Sequence, residues 1–326
     1  MSKSAARSYW SPLRLSLAGG GTDLSEFASR FGGRVVGVSL DAGVEVTYAN
    51  PSAQPNTIDL DLLQTWRGDA LEHVPDPFVR ALLRRAPAGF VHMRSKARVP
   101  AGSGLGSSAA FTLAALAAVT GEYDAMRLIR GAADVEAEVL GRRLGIQDQT
   151  ISAIGGFVDL STDGTEVEAR RLPISEAAVR QLQTHMLLVH TGVVRNAGMV
   201  LREQIDEGRH PLRNRDAVLM QIRDLVDPAL AALETGDVVG LGAILQQHWS
   251  LKRSLSAHNE NKSSWGLVDV AMQNGALGAK LNGAGAGGTI LILVRPGDRR
   301  SVVDALAILG ARELNLGLGT HGLTRR

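Results

Sequence analysis

Three stretches of the chain combine residue types that suit phosphate chemistry. The clearest is AGSGLGSSAA at 101–110, where Gly102, Ser103, Gly104 and Gly106 leave little side chain before a small-apolar run, FTLAALAAV, that reads as a buried helix. A helix start carries unpaired N–H groups and the positive end of the peptide dipole, and so favours an anion. Glycines there let phosphate oxygens reach the backbone, and Ser107 and Ser108 add hydroxyls. This is a phosphate cradle by physical logic, but not a Walker A loop, because GxxxxGK[ST] is absent. Two acids follow: Glu136 on the next helix and Asp148 inside GIQDQ, twelve residues on, with Gly141 and Gly145 between them to end the helix and return the chain. Phosphoryl transfer uses one carboxylate for Mg²⁺ and another to orient or deprotonate the acceptor hydroxyl.

The other two stretches are AGGGTD at 18–23 and GAGAGG at 283–288. The first ends a strand and could equally be a tight turn. The second contains a formal GxGxxG (Gly283, Gly285, Gly288), but it precedes the strand TILILV where a dinucleotide loop must open a helix. The eight histidines show no zinc spacing; His190 reads as structural, and His248 carries no specific signal.

These loops need elements to hold them. PLRLSLA (12–18) reads as a strand entering GGGTDL, and residues 34–41 and 43–50 read as two strands of a hairpin meeting near Gly43. A short helix is predicted around 76–85, a strand within GFVHMRSKA, and helices from the cradle to Gly121 and over 123–140. Residues 158–173 form a hairpin turning at Asp163-Gly164, THMLLVHTG is a strand, and 195–257 is mostly helical. A domain boundary is expected near residue 170, dividing 1–170 from 171–326.

With 326 residues, 44% hydrophobic and 21% charged, the chain has the composition of a globular protein. Its 35 basic and 33 acidic side chains nearly cancel, which argues against a dedicated nucleic-acid binder. There is no cysteine, so thiolate and disulfide chemistry are excluded. Neither a signal-like segment nor an apolar run of membrane-spanning length is present, so the expectation is a cytoplasmic protein without a membrane partner. A homodimer is compatible with the sequence, which does not specify the assembly.

With all three loops and GIQDQ in order, the chain resembles the GHMP kinases: RLSLAGGGTD is similar to their first motif, VPAGSGLGSSAA to their second and KLNGAGAGGTIL to their third. AGGGTDLSEF, GIQDQTISAIGGF, HTGVVRNA and GALGAKLNGAGAGG extend the resemblance to one branch, the D-glycero-D-manno-heptose 7-phosphate kinases. The resemblance implies an α+β, two-domain GHMP kinase fold with its active site in the interdomain cleft, residues 1–170 binding ATP. It further implies that Pro100, Gly102, Ser103, Gly104, Leu105, Gly106, Ser107 and Ser108 wrap the ATP phosphates. Ser108 and Glu136 would contact Mg²⁺, Asp148 would face the acceptor hydroxyl, and Arg14 would stand beside it.

Galactokinases have Gly-Glu-His-Thr-Asp where this chain has Gly19, Gly20, Gly21, Thr22 and Asp23. Asp23 can accept two ring hydroxyls, whereas Gly20 and Gly21 open space beyond C6 and remove a carboxylate that would repel a phosphate. That favours a seven-carbon sugar phosphate, with Thr22 and the backbone at Gly285 also lining the acceptor. A buried dianion needs cations, and Arg195, Lys252, Arg253 and Lys280 are the candidates. The resemblance implies ATP- and Mg²⁺-dependent phosphorylation of the anomeric hydroxyl to a 1,7-bisphosphate, feeding nucleotide-activated heptose for a surface polysaccharide. Two alternatives remain at this stage: a kinase for a free fucose- or galactose-like sugar, and a non-catalytic sugar- or nucleotide-binding regulator. Trp66 and the loop 51–56 are the candidates for the adenine pocket.

Overall fold

The structure, a computed structural model, describes residues 6–51, 55–61, 64–99, 102–141, 144–192, 214–255, 262–283 and 288–326. The first half of the chain is organised on two long antiparallel strands, β1 (Arg7–Ala18) and β2 (Gly33–Ala49), with the short helix α1 (Ser25–Phe31) between them. The expected hairpin at Gly43 does not form: β2 runs straight through that residue. A Cβ on Gly43 would stand 2.3 Å from the Ser11 carbonyl oxygen and 2.5 Å from the Trp10 ring. Glycine serves the close approach of β1, beside the register shift between Pro12 and Arg14, rather than a turn.

The ribbon β3 (Asn56–Leu60) and β4 (Gln64–Gly68) leads to helix α2 (Pro77–Leu83), which Asp76 caps by accepting from the Phe78 and Val79 amides. Strand β5 (His92–Ala97) pairs with β2 and β3. It is followed by α3 (Ser107–Thr120), whose Ala- and Leu-rich surface is buried on nearly every side against β1 and β2. Helices α4 (Ala125–Leu140) and α5 (Gln147–Ile154) pack on α3, and the hairpin β6 (Phe157–Thr162) and β7 (Val167–Arg171) completes the sheet.

Helix α6 (Glu176–His185) begins a second unit. Its sheet has the order β11-β8-β10-β9, built from β8 (Met186–His190), β9 (Ala276–Leu281), β10 (Thr289–Val294) and β11 (Arg312–Leu314). The helices are α7 (Arg215–Asp224), α8 (Val226–Thr235), α9 (Val238–Ser254), α10 (Lys262–Gln273) and α11 (Arg299–Ile308). Leu188, Leu291 and Leu293 join the core shared with the first sheet, whereas Leu187, Val189, Ile290 and Ile292 face α10 and α11. Burial on both faces explains why TILILV is apolar throughout. The chain then returns, and β12 (Thr324–Arg325) pairs with β1 in the first sheet. No helix among the described residues is long and apolar enough to cross a membrane.

Candidate active site

Arg14 and Asp148 meet at the centre. β1 carries Arg14 inward until it is 4% exposed, and Asp148 lies in the first turn of α5, where the helix dipole favours a carboxylate. The Arg14 Nε donates to Asp148 Oδ1 at 2.7 Å and its Nη2 to Oδ2 at 2.6 Å. This two-pronged pairing fixes the carboxylate in plane. The remaining Nη1 donates to the Gly104 carbonyl at 2.8 Å, so one guanidinium ties the acid to the cradle. The Asp148 side chain is 30% exposed and so keeps an open side toward a reactant.

The cradle is built by alternation. Gly102, Gly104 and Gly106 all have positive φ, between 73° and 81°, and the side chains between them turn inward. Ser103 and Leu105 are buried, so these two expected phosphate contacts reduce to their backbone. Gly106 begins α3 with no side-chain cap, leaving the first N–H groups of the helix for another acceptor. Ser107 is half-buried and Ser108 exposed at that same end. The third loop backs the cradle: Thr289 Oγ1 donates to the Ser103 carbonyl at 2.8 Å, and a Cβ on Gly104 would lie 2.6 Å from the Asn282 carbonyl oxygen. Pro100, Arg195 and Gly285 lie outside the described residues.

Glu136, on α4, is buried beside Asp148, and Gln149 Nε2 donates to its Oε2 at 2.6 Å. Burial, then the Asp148 charge, push its carboxyl up to about 8. A buried carboxyl held uncharged by a second acid is a place where a cation relieves a cost. One carboxylate, a serine hydroxyl and substrate oxygens make a set suited to Mg²⁺. Among the described residues there is no cluster of three His, Asp or Glu that could hold a metal without the substrate's help. The shift also sets a stability trend. Between the ordinary value of 4.5 and about 8 the folded protein holds a proton that the unfolded chain has lost, so stability falls as pH rises through that window. Glu136→Gln abolishes this loss. Its advantage in unfolding free energy without Mg²⁺, read from melting curves, is expected to grow from pH 5 to 8 by at most about 1.4 kcal/mol per pH unit. Melting curves showing a pH-independent difference would contradict it.

The first loop differs from expectation at two residues. Thr22 does not face an acceptor: it is fully buried, its hydroxyl lying 2.8 Å from the Gly19 carbonyl and 2.9 Å from that of Arg34, and accepting from the Arg34 amide. It fastens the loop to β2. Asp23 is 2% exposed, and its oxygens accept from the Gln147 amide at 2.9 Å and the Gln147 side chain at 3.0 Å. Gln147 takes the bonds expected from ring hydroxyls. Gly145 makes room, since a Cβ there would stand 2.1 Å from Asp23 Oδ2. Burial, together with the Asp148 charge, raises the Asp23 carboxyl above its ordinary value. Gly20 packs on β1, where a Cβ would stand 2.6 Å from Ser16 Oγ, and Gly21, with φ of 100°, has Leu219 3.8 Å from the place of a Cβ.

Of the expected cations, Arg253 is committed to Asp269 at 2.8 Å and to the face of Trp265. Lys280 is buried on β9 against the Leu17 carbonyl and His248, and Lys252 donates to the Gly283 carbonyl. Trp66 lies on β4, partly buried against the first core. Gln147, Gln149 and His248 are site residues that sequence reasoning missed. The signal was present: an amide on either side of Asp148, and a histidine four residues before Lys252 on one helix face.

A backbone cradle at a helix start, a clamped acid beside it and a buried carboxyl next to that acid define a phosphotransferase that acts on a small molecule, set where two sheet-and-helix units meet. Two domain families match in the corresponding places, the GHMP kinases N terminal domain over residues 74–156 and the GHMP kinases C terminal domain over 229–312, and the chain belongs to the GHMP kinases. It is similar to the D-glycero-alpha-D-manno-heptose 7-phosphate kinase of Campylobacter jejuni, at 26% identity over 90% of this chain and 91% of that protein. It is also similar to the mevalonate kinase of Pyrococcus abyssi, at 30% identity over 69% of this chain and 66% of that one. The fold is shared with the crystal structure of a D-glycero-D-manno-heptose 1-phosphate kinase from Bacteroides thetaiotaomicron, with a TM-score of 0.76 and 23% identity over 99% of both chains.

Proposed function

We propose that this kinase transfers the γ-phosphoryl group of ATP to the anomeric hydroxyl of D-glycero-D-manno-heptose 7-phosphate, giving the 1,7-bisphosphate for nucleotide-activated heptose and surface polysaccharide. The observation that carries the reaction class is the Arg14 clamp, which holds the Asp148 carboxylate at the edge of the cradle. In this reading the acceptor oxygen bonds to the γ-phosphorus, the bond to the β,γ-bridging oxygen breaks, and ADP leaves with that electron pair. The hydroxyl proton passes to Asp148, whose orientation Arg14 fixes. Backbone N–H groups at Gly106 and the α3 start bind phosphate oxygens. Mg²⁺, held by Ser108 and Glu136, supplies charge neutralisation on those oxygens when bound. Residues 1–170 supply most of the ATP site and 171–326 the third loop, in the cytoplasm, where ATP is available.

Three things support the acceptor. The Campylobacter relative bears the heptose 7-phosphate name over nearly its whole length. Gly20 and Gly21 stand where galactokinases carry a carboxylate and an imidazole. Gln147 ties Asp23 to the residue before Asp148, which brings the first loop beside the acid. A free-sugar kinase is the competing reading. The non-catalytic regulator is disfavoured by the Arg14–Asp148 pairing, which a binder has no need of.

A coupled ADP-release assay against D-glycero-D-manno-heptose 7-phosphate, mannose, galactose and fucose tests the proposal, with phosphorus NMR of the product. The expected outcome is turnover with the heptose phosphate alone and a new anomeric phosphate signal. Turnover with a free sugar instead would overturn the role given to Gly20 and Gly21.

A further inference from the structure

The seam between the second and third glycine loops holds more positive charge than Asp148 uses. Lys280 is as deeply buried as Arg14, each being 4% exposed. Its Nζ donates to the Leu17 carbonyl at 3.3 Å and lies 3.4 Å from His248 Nδ1. His248 is itself 1% exposed and hydrogen-bonded to the backbone of Gly20. One turn further along α9, Lys252 donates to the Gly283 carbonyl. Gly283 rests on the cradle, since a Cβ there would stand 3.0 Å from the Gly104 Cα, and the Gly104 carbonyl is the third acceptor of Arg14. Lys252, Gly283, Gly104 and Arg14 are thus consecutive contacts.

A buried ammonium is costly unless an anion compensates it. Among the described residues the charges acting on Lys280 are those of Lys252 and Arg14, both of its own sign, and it is hydrogen-bonded to a carbonyl and an imidazole. Burial, followed by the two lysines, holds His248 well below its ordinary value and therefore neutral, so its ring nitrogen can accept from Lys280. The acids group differently: Asp23 and Glu136 both feel Asp148. Arg14 is the joint between an acidic set and a basic set. Lys280, with Lys252 and Arg14 as the charges acting on it, is favoured when an anion arrives.

Position says which anion. A heptose 7-phosphate reacting at its anomeric hydroxyl carries its phosphate on the far side of the ring, away from the reacting oxygen. Lys252 instead reaches Gly283, which rests on Gly104 of the cradle, and Lys280, held at Leu17 and His248, lies near enough to Arg14 and Lys252 to feel both charges. In phosphoryl transfer the charge that needs cations there is spread over the equatorial oxygens of the moving group. We propose that Lys280 and Lys252, with His248 as a positioning residue, hold the oxygens of the phosphoryl group in transit from ATP and not the terminal phosphate of the acceptor. The inference rests on the kinase reading but not on the identity of the sugar. Burial, then the charges of Lys252 and Arg14, hold the Lys280 ammonium well below its ordinary value, and an arriving anion favours its charged form. The step takes no proton from the lysines, which bind the oxygens while the acceptor–phosphorus bond forms and the bond to ADP breaks.

The test is calorimetric binding of Mg·ATP and Mg·ADP to the full chain without any acceptor, comparing the wild type with Lys280→Met and Lys280→Arg. Lys280→Met is expected to weaken ATP binding by about 10- to 100-fold and ADP binding by less than about threefold, as loss of a charge-assisted contact to the γ-phosphate alone requires. Lys280→Arg is expected to recover part of the ATP preference. Equal ATP and ADP affinities relative to wild type, with weaker binding of a phosphorylated sugar, would overturn the proposal in favour of the acceptor's phosphate. A changed Tm with no change in either nucleotide would overturn it in favour of a structural lysine. If Lys280→Met does not fold, Lys252→Ala, at a half-buried position, is read in the same way. The nucleotide titrations contain no sugar, so a wrong acceptor assignment leaves their outcome untouched.

Discussion

Asp148→Asn is expected to lower kcat by about 10³-fold while the affinity for ATP changes by less than about threefold. The carboxylate is held by two bonds from Arg14, and its side chain remains 30% exposed. The amide of Asn can accept from only one prong of the guanidinium and turns an N–H₂ toward the other. It can neither take a proton nor hold a hydroxyl by two acceptor oxygens. The same change leaves the buried Arg14 partly unpaired, so a stability loss of about 1–3 kcal/mol accompanies it. Steady-state kinetics with nucleotide titration and a melting curve report all three quantities. A kcat within about tenfold of wild type would remove Asp148 from the chemistry.

Gly104→Ala is expected to weaken ATP binding by about 100-fold, with a lower Tm, because two separate costs act there. The residue sits at φ of 75°, in the left-handed region, which costs an alanine about 1–2 kcal/mol. The added Cβ would also lie 2.6 Å from the backbone carbonyl of Asn282. No flexible side chain can yield there, so the second and third loops must separate. That shift carries the Gly104 carbonyl away from Arg14 and Gly283 away from the cradle. Gly141→Ala is the matched control: φ is 71°, but nothing lies within 4 Å of the new Cβ. It should lose only the strain, with nucleotide affinity unchanged. If both variants bind ATP like wild type, the cradle does not depend on the fit between these loops.

Much of the site is local in the sequence, and that part was legible. The cradle, its glycines and the buried helix α3 follow from residue types within twenty positions, because a side-chain-poor loop and an Ala/Leu helix are decided by short-range sterics and burial. Asp148 could be named from its place after the helix of Glu136 and from the resemblance of GIQDQ, and Arg14 from the first motif. The hairpin of β6 and β7 was equally readable, since Asp163-Gly164 encodes its own turn.

What tertiary structure decided are the partnerships between distant segments. Gly43 looked like a turn because glycine is the same residue whether it bends a chain or admits a neighbour; only the Ser11 backbone and Trp10 ring beside it show which. Thr22 and Asp23 looked like substrate contacts, but the direction of a side chain depends on what packs behind it, here β2 and Gln147. His248 and Lys280 are 32 residues apart; Lys280 could be named as one of four candidate cations, but only β9 against α9 pairs it with His248 and buries it near Arg14. The sequence by itself determined the glycine-rich loop at the start of α3, the proposed phosphate cradle, and pointed to Asp148 as the acid beside it, through local backbone chemistry and motif. The fold decided which cations face that acid, because burial and charge proximity are properties of packed segments and not of any one of them.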